Sequence, residues 1–181
     1  MDAYLAVVSK REVRRYLPQP IPEEVVRHIA QAGRASGSSR NRQPWRFILI
    51  TDTARLRDMA GVVYRPANLE ECAAAIVIVL TNPRAQFDAG RTAQNMMLAA
   101  WALGVGTCPN TPSDEAALKE RLGIPAEMSV PTVLSLGYPA SGEPRPRAAA
   151  DPVGKLARIN RLPLDDLLFR ERYGTSSTAG G

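Results

Sequence analysis

Histidine is almost missing from this chain of 181 residues: there is one, His28, and only two cysteines, Cys72 and Cys108. Three such groups, far apart and without a CxxC pair, are a poor inventory for zinc. A Ser-His-Asp triad would have to use His28, which sits beside Arg27 in a helical stretch and reads as a surface histidine. The chain has no GxSxG elbow, no GxxxxGK phosphate loop and no HExxH. Gly104-Val-Gly106 does not continue into a dinucleotide fingerprint and reads as the end of a helix. Long hydrophobic runs are absent too. The longest, Ala73 to Leu80, is far below the roughly 20 residues of a membrane span. Met1-Asp-Ala-Tyr lacks the basic start of a secretory leader, so a cytoplasmic, thiol-reduced protein is the expectation.

What is present is ordinary for one globular domain: 45% hydrophobic and 23% charged residues. We expect a single domain over residues 1–174 and a disordered tail over 175–181. The net charge of +5 invites a nucleic-acid reading, but the basic residues are scattered rather than blocked. Neither nucleic acid nor membrane is expected as a partner; some of the cations would hold a small anion and the rest would be solvated.

Hydrophobic spacing predicts a short helix over Ala3–Val8 and a clear one opening at Pro22, with Val25, Ile29 and Ala32 on one face. Trp45–Thr51 and Ala75–Leu80 read as strands, with a helix over Asp52–Ala60 between them. The longest helix should run from Phe87 to Leu103; its middle is apolar nearly all round, so burial on most faces is expected, and a second copy of the chain could provide it. Ser113-Asp-Glu carries a capping signal for a short helix, and Pro131–Tyr138 reads as a third strand. Residues 140–155, rich in Pro, Ala and Arg, read as a surface excursion, and Leu164-Asp-Asp as a last short element. The order of elements gives a layered α+β or α/β domain.

With no strong acid, base or metal set, an organic cofactor is the natural source of chemistry. Three segments could hold one. Lys10 to Tyr16 (KREVRRY) can present several cations to a phosphate, although taken alone it reads sooner as a solvated basic turn. Ser38 to Trp45 (SSRNRQPW) offers hydroxyls, amides and backbone N–H groups, or is simply a turn before a strand. Arg158 to Leu164 is a late basic segment, or surface charge.

Together and in this order the segments resemble the FMN-dependent nitroreductase family. KREVRRY resembles its basic Arg-Arg-Ser-x-Arg flavin motif, and SGSSRNRQPWRFILI its Ser-x-x-Asn-x-Gln-Pro-Trp strand lead. DAGRTAQNMMLAAWALGVGTC resembles its long central dimer helix with the following glycine turn; LSLGYP and NRLPLDDLLFRERYG resemble its closing strand and C-terminal segment. The similarity spans about residues 3 to 174.

The resemblance implies an α+β fold: a three-layer α/β/α sandwich around a mixed, mainly antiparallel sheet, in an intertwined homodimer with FMN at the subunit interface. Lys10 and Arg11 would face the phosphate and ribityl chain, and Arg14 the N1–O2 edge of the ring, where a cation stabilises reduced flavin. Gly37, Ser38, Ser39 and Asn41 would come from the other subunit. Pro109, Asn110 and Thr111 would line the ring near N5, and Arg161 would return to the phosphate. No side chain is needed as a catalytic acid or base.

The implied activity is hydride transfer from NADH or NADPH through FMN to a small acceptor, a nitroaromatic or a quinone. Glu12 stands where the family usually has Ser, and would repel the phosphate unless Arg11 or Arg14 pairs with it. Ile159 stands where some members have a phosphate-binding Lys, with Arg158 as a substitute. The chain is also short for the insertion that closes the pocket in larger relatives. These departures motivate one alternative, a flavin or deazaflavin storage protein with little turnover; a specialised reaction such as dehalogenation on the same fold is another.

Overall fold

The computed structural model describes residues 2–145, 151, 154, 156 and 159–174. Helix α1 (Ala3–Ser9) is capped by Asp2, whose carboxylate accepts the Leu5 N–H at 3.0 Å. Helix α2 (Glu23–Arg34) starts after Pro22, as the spacing predicted. A single turn of 3-10 helix (Ser39–Asn41) leads into strand β1 (Trp45–Ile50). Helix α3 (Thr53–Ala60), capped by Asp52, and the short α4 (Ala67–Glu70) connect it to β2 (Ala74–Leu80). Then follow α5 (Gln86–Ala102), β3 (Gly106–Asn110), α6 (Glu115–Leu122) and β4 (Ser129–Gly137). Asp114, rather than Ser113, caps α6 by accepting the Ala117 N–H at 2.9 Å. A 3-10 turn at Leu164–Asp166 is the last element described. Half of the 140–155 excursion, Arg158 and the 175–181 tail fall outside the described residues.

The strands form one sheet in the order β1-β2-β4-β3, every neighbouring pair antiparallel. Its parallel component is an isolated bridge between Glu12 and Thr107, which lays the 10–16 segment along the outer edge of β3. That approach is close. A Cβ on Gly106 would fall 2.6 Å from the Val13 Cβ, and one on Gly137 would meet the Tyr16 ring at 2.5 Å, so both positions need glycine.

Strand β2 explains the three layers. It is buried along its whole length, and its side chains alternate between two cores. Ala74, Ile76, Ile78 and Leu80 pack with Val26 and Ile29 of α2 and Ala93, Met96 and Ala100 of α5. Ala75, Val77 and Val79 pack on the other face with Leu56 and Met59 of α3, Leu69 of α4 and Leu118 of α6. Each fully buried large aliphatic side chain contributes about 1.5–3 kcal/mol. The result is helices on both sides of one sheet, the expected α+β sandwich.

Two expectations change. The Gly104–Thr107 stretch is more than a helix stop: it opens β3, a strand that Gly and Pro concealed in the sequence. Helix α5 is also less enclosed than its composition suggested. Asp88, Thr92, Met96 and Trp101 are among its buried residues, but Phe87, Arg91, Gln94 and Asn95 face solvent in the single chain. The Trp101 N–H donates to Ser9 Oγ at 3.1 Å, which ties α1 to α5.

Candidate functional site

Residues 10–16 and strand β3 place one group of candidates side by side, and the pairing decides which way each points. Residues paired across an antiparallel ladder share a face. Cys108 lies opposite Ser135, and Asn110 opposite Val133, so both face the α3–α6 core. Thr107 lies opposite Leu136 and Pro109 opposite Leu134, so both face the α2–α5 side.

On the α3–α6 side the polar groups are satisfied. Asn110 is buried; its amide nitrogen donates to the carbonyls of Cys108 (3.0 Å) and Val133 (3.1 Å) and to Ser135 Oγ (3.2 Å). Its Oδ1 accepts from Asn68 Nδ2 at 2.7 Å. Ser135 Oγ lies 2.9 Å from the Tyr16 hydroxyl, which donates to the Val13 carbonyl at 2.6 Å. Burial pushes the Tyr16 hydroxyl far above its ordinary pKa, so it stays neutral. Burial also raises the Cys108 thiol, against the nearby Arg14 charge, and pushes Cys72 up to about 11. Neither cysteine has the character of a nucleophile. The Asn110 side chain is therefore turned away from the lining expected of it, because its register with β4 places it in the core. Asn68, Ser135 and Tyr16 complete this network and were not foreseen as a group.

The α5 side is different. Lys10 Nζ is 2.6 Å from Glu12 Oε1 and 3.4 Å from the Met97 sulfur, and the Lys10 side chain is 6% exposed. Glu12 thus pairs with Lys10, not with Arg11 or Arg14. In extended backbone, residues two apart project to the same side, whereas Arg11 projects to the other. Among the described residues, Glu12 Oε2 and Thr107 Oγ1 are buried and accept or donate no hydrogen bond. Arg11 donates to the carbonyls of Val8 and Lys10, and the Arg14 side chain is exposed. Pro109 and Thr111 are exposed at the end of β3; the Thr111 carbonyl accepts the N–H of Tyr64, a residue 72% exposed. Trp45 is buried in the core, as expected.

The second group gathers elsewhere. Gly37 is pressed against Arg91, where a Cβ would fall 2.5 Å from Nη2, and Asn95 donates to Ser36 Oγ at 2.8 Å. Ser38 Oγ accepts the Gln43 N–H at 2.9 Å. Ser39 and Asn41 are exposed on the following turn, where Arg40, Asn41 and Gln43 have φ of 53°, 53° and 48°. Three side-chain-bearing residues in the left-handed region store about 1 kcal/mol or more each, a pattern found at binding loops. At about 100° per residue, the Arg91–Asn95 face of α5 is about 140° from Met97, the residue beside Lys10. The two groups therefore occupy different faces of one helix. Arg161 stands apart, exposed and donating to the Asn160 carbonyl at 2.8 Å.

This architecture has known counterparts. The nitroreductase family profile matches residues 7–79 and 80–138, so the chain belongs to the nitroreductase family and is an oxidoreductase. The NADPH-flavin oxidoreductase of Vibrio harveyi is 28% identical, with 89% of this chain and 76% of that protein covered. An NADH dehydrogenase of Thermus thermophilus is 27% identical over 77% of this chain and 88% of that one. A Desulfovibrio desulfuricans structure solved in complex with FMN superimposes with a TM-score of 0.71 at 28% identity, covering 90% of this chain and 99% of that chain.

Proposed function

We propose that this protein is an FMN-dependent NAD(P)H oxidoreductase acting on a small acceptor, a nitroaromatic or a quinone, in a ping-pong cycle. The observation that supports it most is the Lys10–Glu12–Thr107 patch: buried polar groups with bonding capacity unused, beside the exposed end of β3. Such groups are rare in a finished core and need a partner, which a bound ligand can supply. A flavin suits the donor set, since its polyol, phosphate and ring edge need hydroxyl partners, cations and a flat exposed strand end. Bound FMN would supply the redox chemistry, accepting a hydride from NADH or NADPH and passing the electrons on.

The chain's own residues bind and orient. Lys10 and Arg11 hold the ribityl and phosphate end, and Arg161 reaches the phosphate. Arg14 sets a positive charge beside the electron-rich ring edge, which favours the reduced form. Pro109 and Thr111 shape the wall beside the ring, with Asn110 fixing their backbone from behind. Gly37, Ser38, Ser39 and Asn41 act on a second copy's flavin, because their loop packs on a different face of α5 from Lys10. That separation favours an intertwined homodimer, as do exposed Phe87 and the exposed leucines 162, 164, 167 and 168. No helix among the described residues is long and apolar enough to cross a membrane.

The first experiment is the absorbance spectrum of the purified protein, before and after FMN addition and desalting. About one flavin per chain, bleached by NADH or NADPH without air, is the expected result. A protein that retains no flavin sinks the proposal. Retained flavin that neither nicotinamide bleaches would favour a storage role, which the Lys10–Glu12 ion pair also suits. Product analysis with nitroaromatic, quinone and halogenated aromatic acceptors separates reductase from dehalogenase.

A further inference from the structure

A groove of about 440 Å³ runs between α2 and β1, apart from the residues assigned to the flavin. Arg27, Gln31 and Arg34, at i, i+4 and i+7 of α2, line one wall, and Gln43, Trp45 and Arg46 line the other. Arg46 donates to the Gln43 and Trp45 carbonyls at 3.3 and 2.7 Å, which folds its side chain back against the edge strand. Among the described residues neither Arg34 nor Arg46 has an ion-pair partner, and the Arg27–Glu23 pair is exposed and 3.9 Å long. Trp45 is 4% exposed, and its indole N–H has no acceptor among the described residues. A buried donor of this kind needs a partner. Three guanidiniums and a free N–H, with no carboxylate in the walls, match a phosphate, which only accepts hydrogen bonds. Ala30 and half-buried Phe47 add apolar wall that suits the rest of a nucleotide better than a bare ion.

Gln43 ties the groove to the turn whose Ser38, Ser39 and Asn41 face a second copy's flavin on the reading above. A cavity of about 630 Å³ borders the same turn through Ser39 and Arg42, but the Asp88 carboxylate in its wall repels a phosphate. We propose that the α2–β1 groove takes the 2′-phosphate and adenosine of NADPH, so that the protein prefers NADPH to NADH. The inference names the electron donor of the flavin reading and rests on that reading.

Calorimetric titration of the full-length, FMN-loaded protein with 2′,5′-ADP, 5′-AMP and inorganic phosphate reads the groove directly. 2′,5′-ADP should bind about tenfold or more tightly than either of the others, the size of one charge-assisted contact. Arg34→Gln and Arg46→Gln should each lower that preference about three- to tenfold. Both should lower the NADPH-to-NADH ratio of kcat/KM in parallel and leave kcat with NADH unchanged. Circular dichroism identifies any variant that fails to fold, and the wild-type affinities decide independently of them. Equal binding of 2′,5′-ADP and 5′-AMP by the wild type, or folded variants with unchanged preference, overturns the proposal. Inorganic phosphate binding as tightly as 2′,5′-ADP reveals a general anion site and overturns it as well. Failure to retain FMN overturns the flavin reading itself, which is a different result.

Discussion

The two sides of edge strand β3 differ in one respect above all. On the α3–α6 side, Asn110, Ser135, Tyr16 and Asn68 spend their polar atoms on one another and on backbone carbonyls. On the α5 side, a few ångströms through the same strand, Glu12 and Thr107 each keep a buried oxygen unused. A satisfied network fixes backbone and contributes stability; an unsatisfied one lowers stability and gains it back on binding. The strand is thus scaffold on one face and, on the function proposed above, receptor on the other.

If that division holds, variants on the two faces should fail in different ways. The largest effect is expected for Asn110→Ala, which removes the oxygen that accepts from Asn68 and the amide that donates to the Cys108 and Val133 carbonyls. Urea unfolding should show a loss of about 2–4 kcal/mol. A loss under about 0.5 kcal/mol would erase the distinction.

Arg14→Ala should do the reverse. Its side chain is exposed, so stability should stay within about 0.5 kcal/mol of the wild type. Flavin reduction by NAD(P)H should slow by about ten- to a hundredfold as the reduced ring loses its counter-charge. Rapid-mixing kinetics at the wild-type rate would remove Arg14 from the site.

Tyr16→Phe removes one hydroxyl and no volume, leaving Ser135 and the Val13 carbonyl short of a partner. A loss of about 1–2 kcal/mol in chemical unfolding is expected, with flavin affinity changing less than in the Arg14 variant. Equal loss of affinity in both would show that the faces are not separable.

The smallest effect concerns Glu143, whose carboxylate accepts from Arg15 Nε at 2.9 Å and from the Arg14 N–H at 3.2 Å. Desolvation pushes this carboxyl up, but those hydrogen bonds outweigh it and hold its pKa below the ordinary value. A carboxylate lowered on folding stabilises above its unfolded pKa, about 4.3, and loses that contribution as pH falls through the folded value. Wild type should therefore exceed Glu143→Gln by less than about 1 kcal/mol at pH 7, and the difference should shrink as pH falls through the folded value. A difference that grows toward low pH would reverse the sign.

Much of the fold was legible in the sequence, for identifiable reasons. The unbroken apolar run of β2 announced a strand buried on both faces, and its alternation between two cores explains why no polar residue interrupts it. Helix α2 declared itself by spacing, and the family by the order of five motifs. Strand β3 was hidden because GTCPN has little strand propensity of its own; β4 on one side and residues 12–13 on the other make it a strand. The site was legible as a set of residues but not as an arrangement. The side chain of Asn110 points inward because of its register with β4, which no local pattern encodes. Glu12 finds Lys10 because two residues apart in extended chain share a side, and that requires knowing the segment is extended. Thr107 was overlooked inside what read as a glycine turn.

The burial of β2 bears on how the molecule exchanges protons with solvent. Both neighbours of β2 are strands and both its faces are covered, so its amide hydrogens have no route to water short of whole-molecule opening. Strand β3, at the rim and covered on its outer edge by the 10–16 segment, can open by itself. The deuterium clock of β2 should therefore report the global stability of the protein, while that of β3 reports the local breathing of its receptor face, and a bound flavin should slow the second far more than the first.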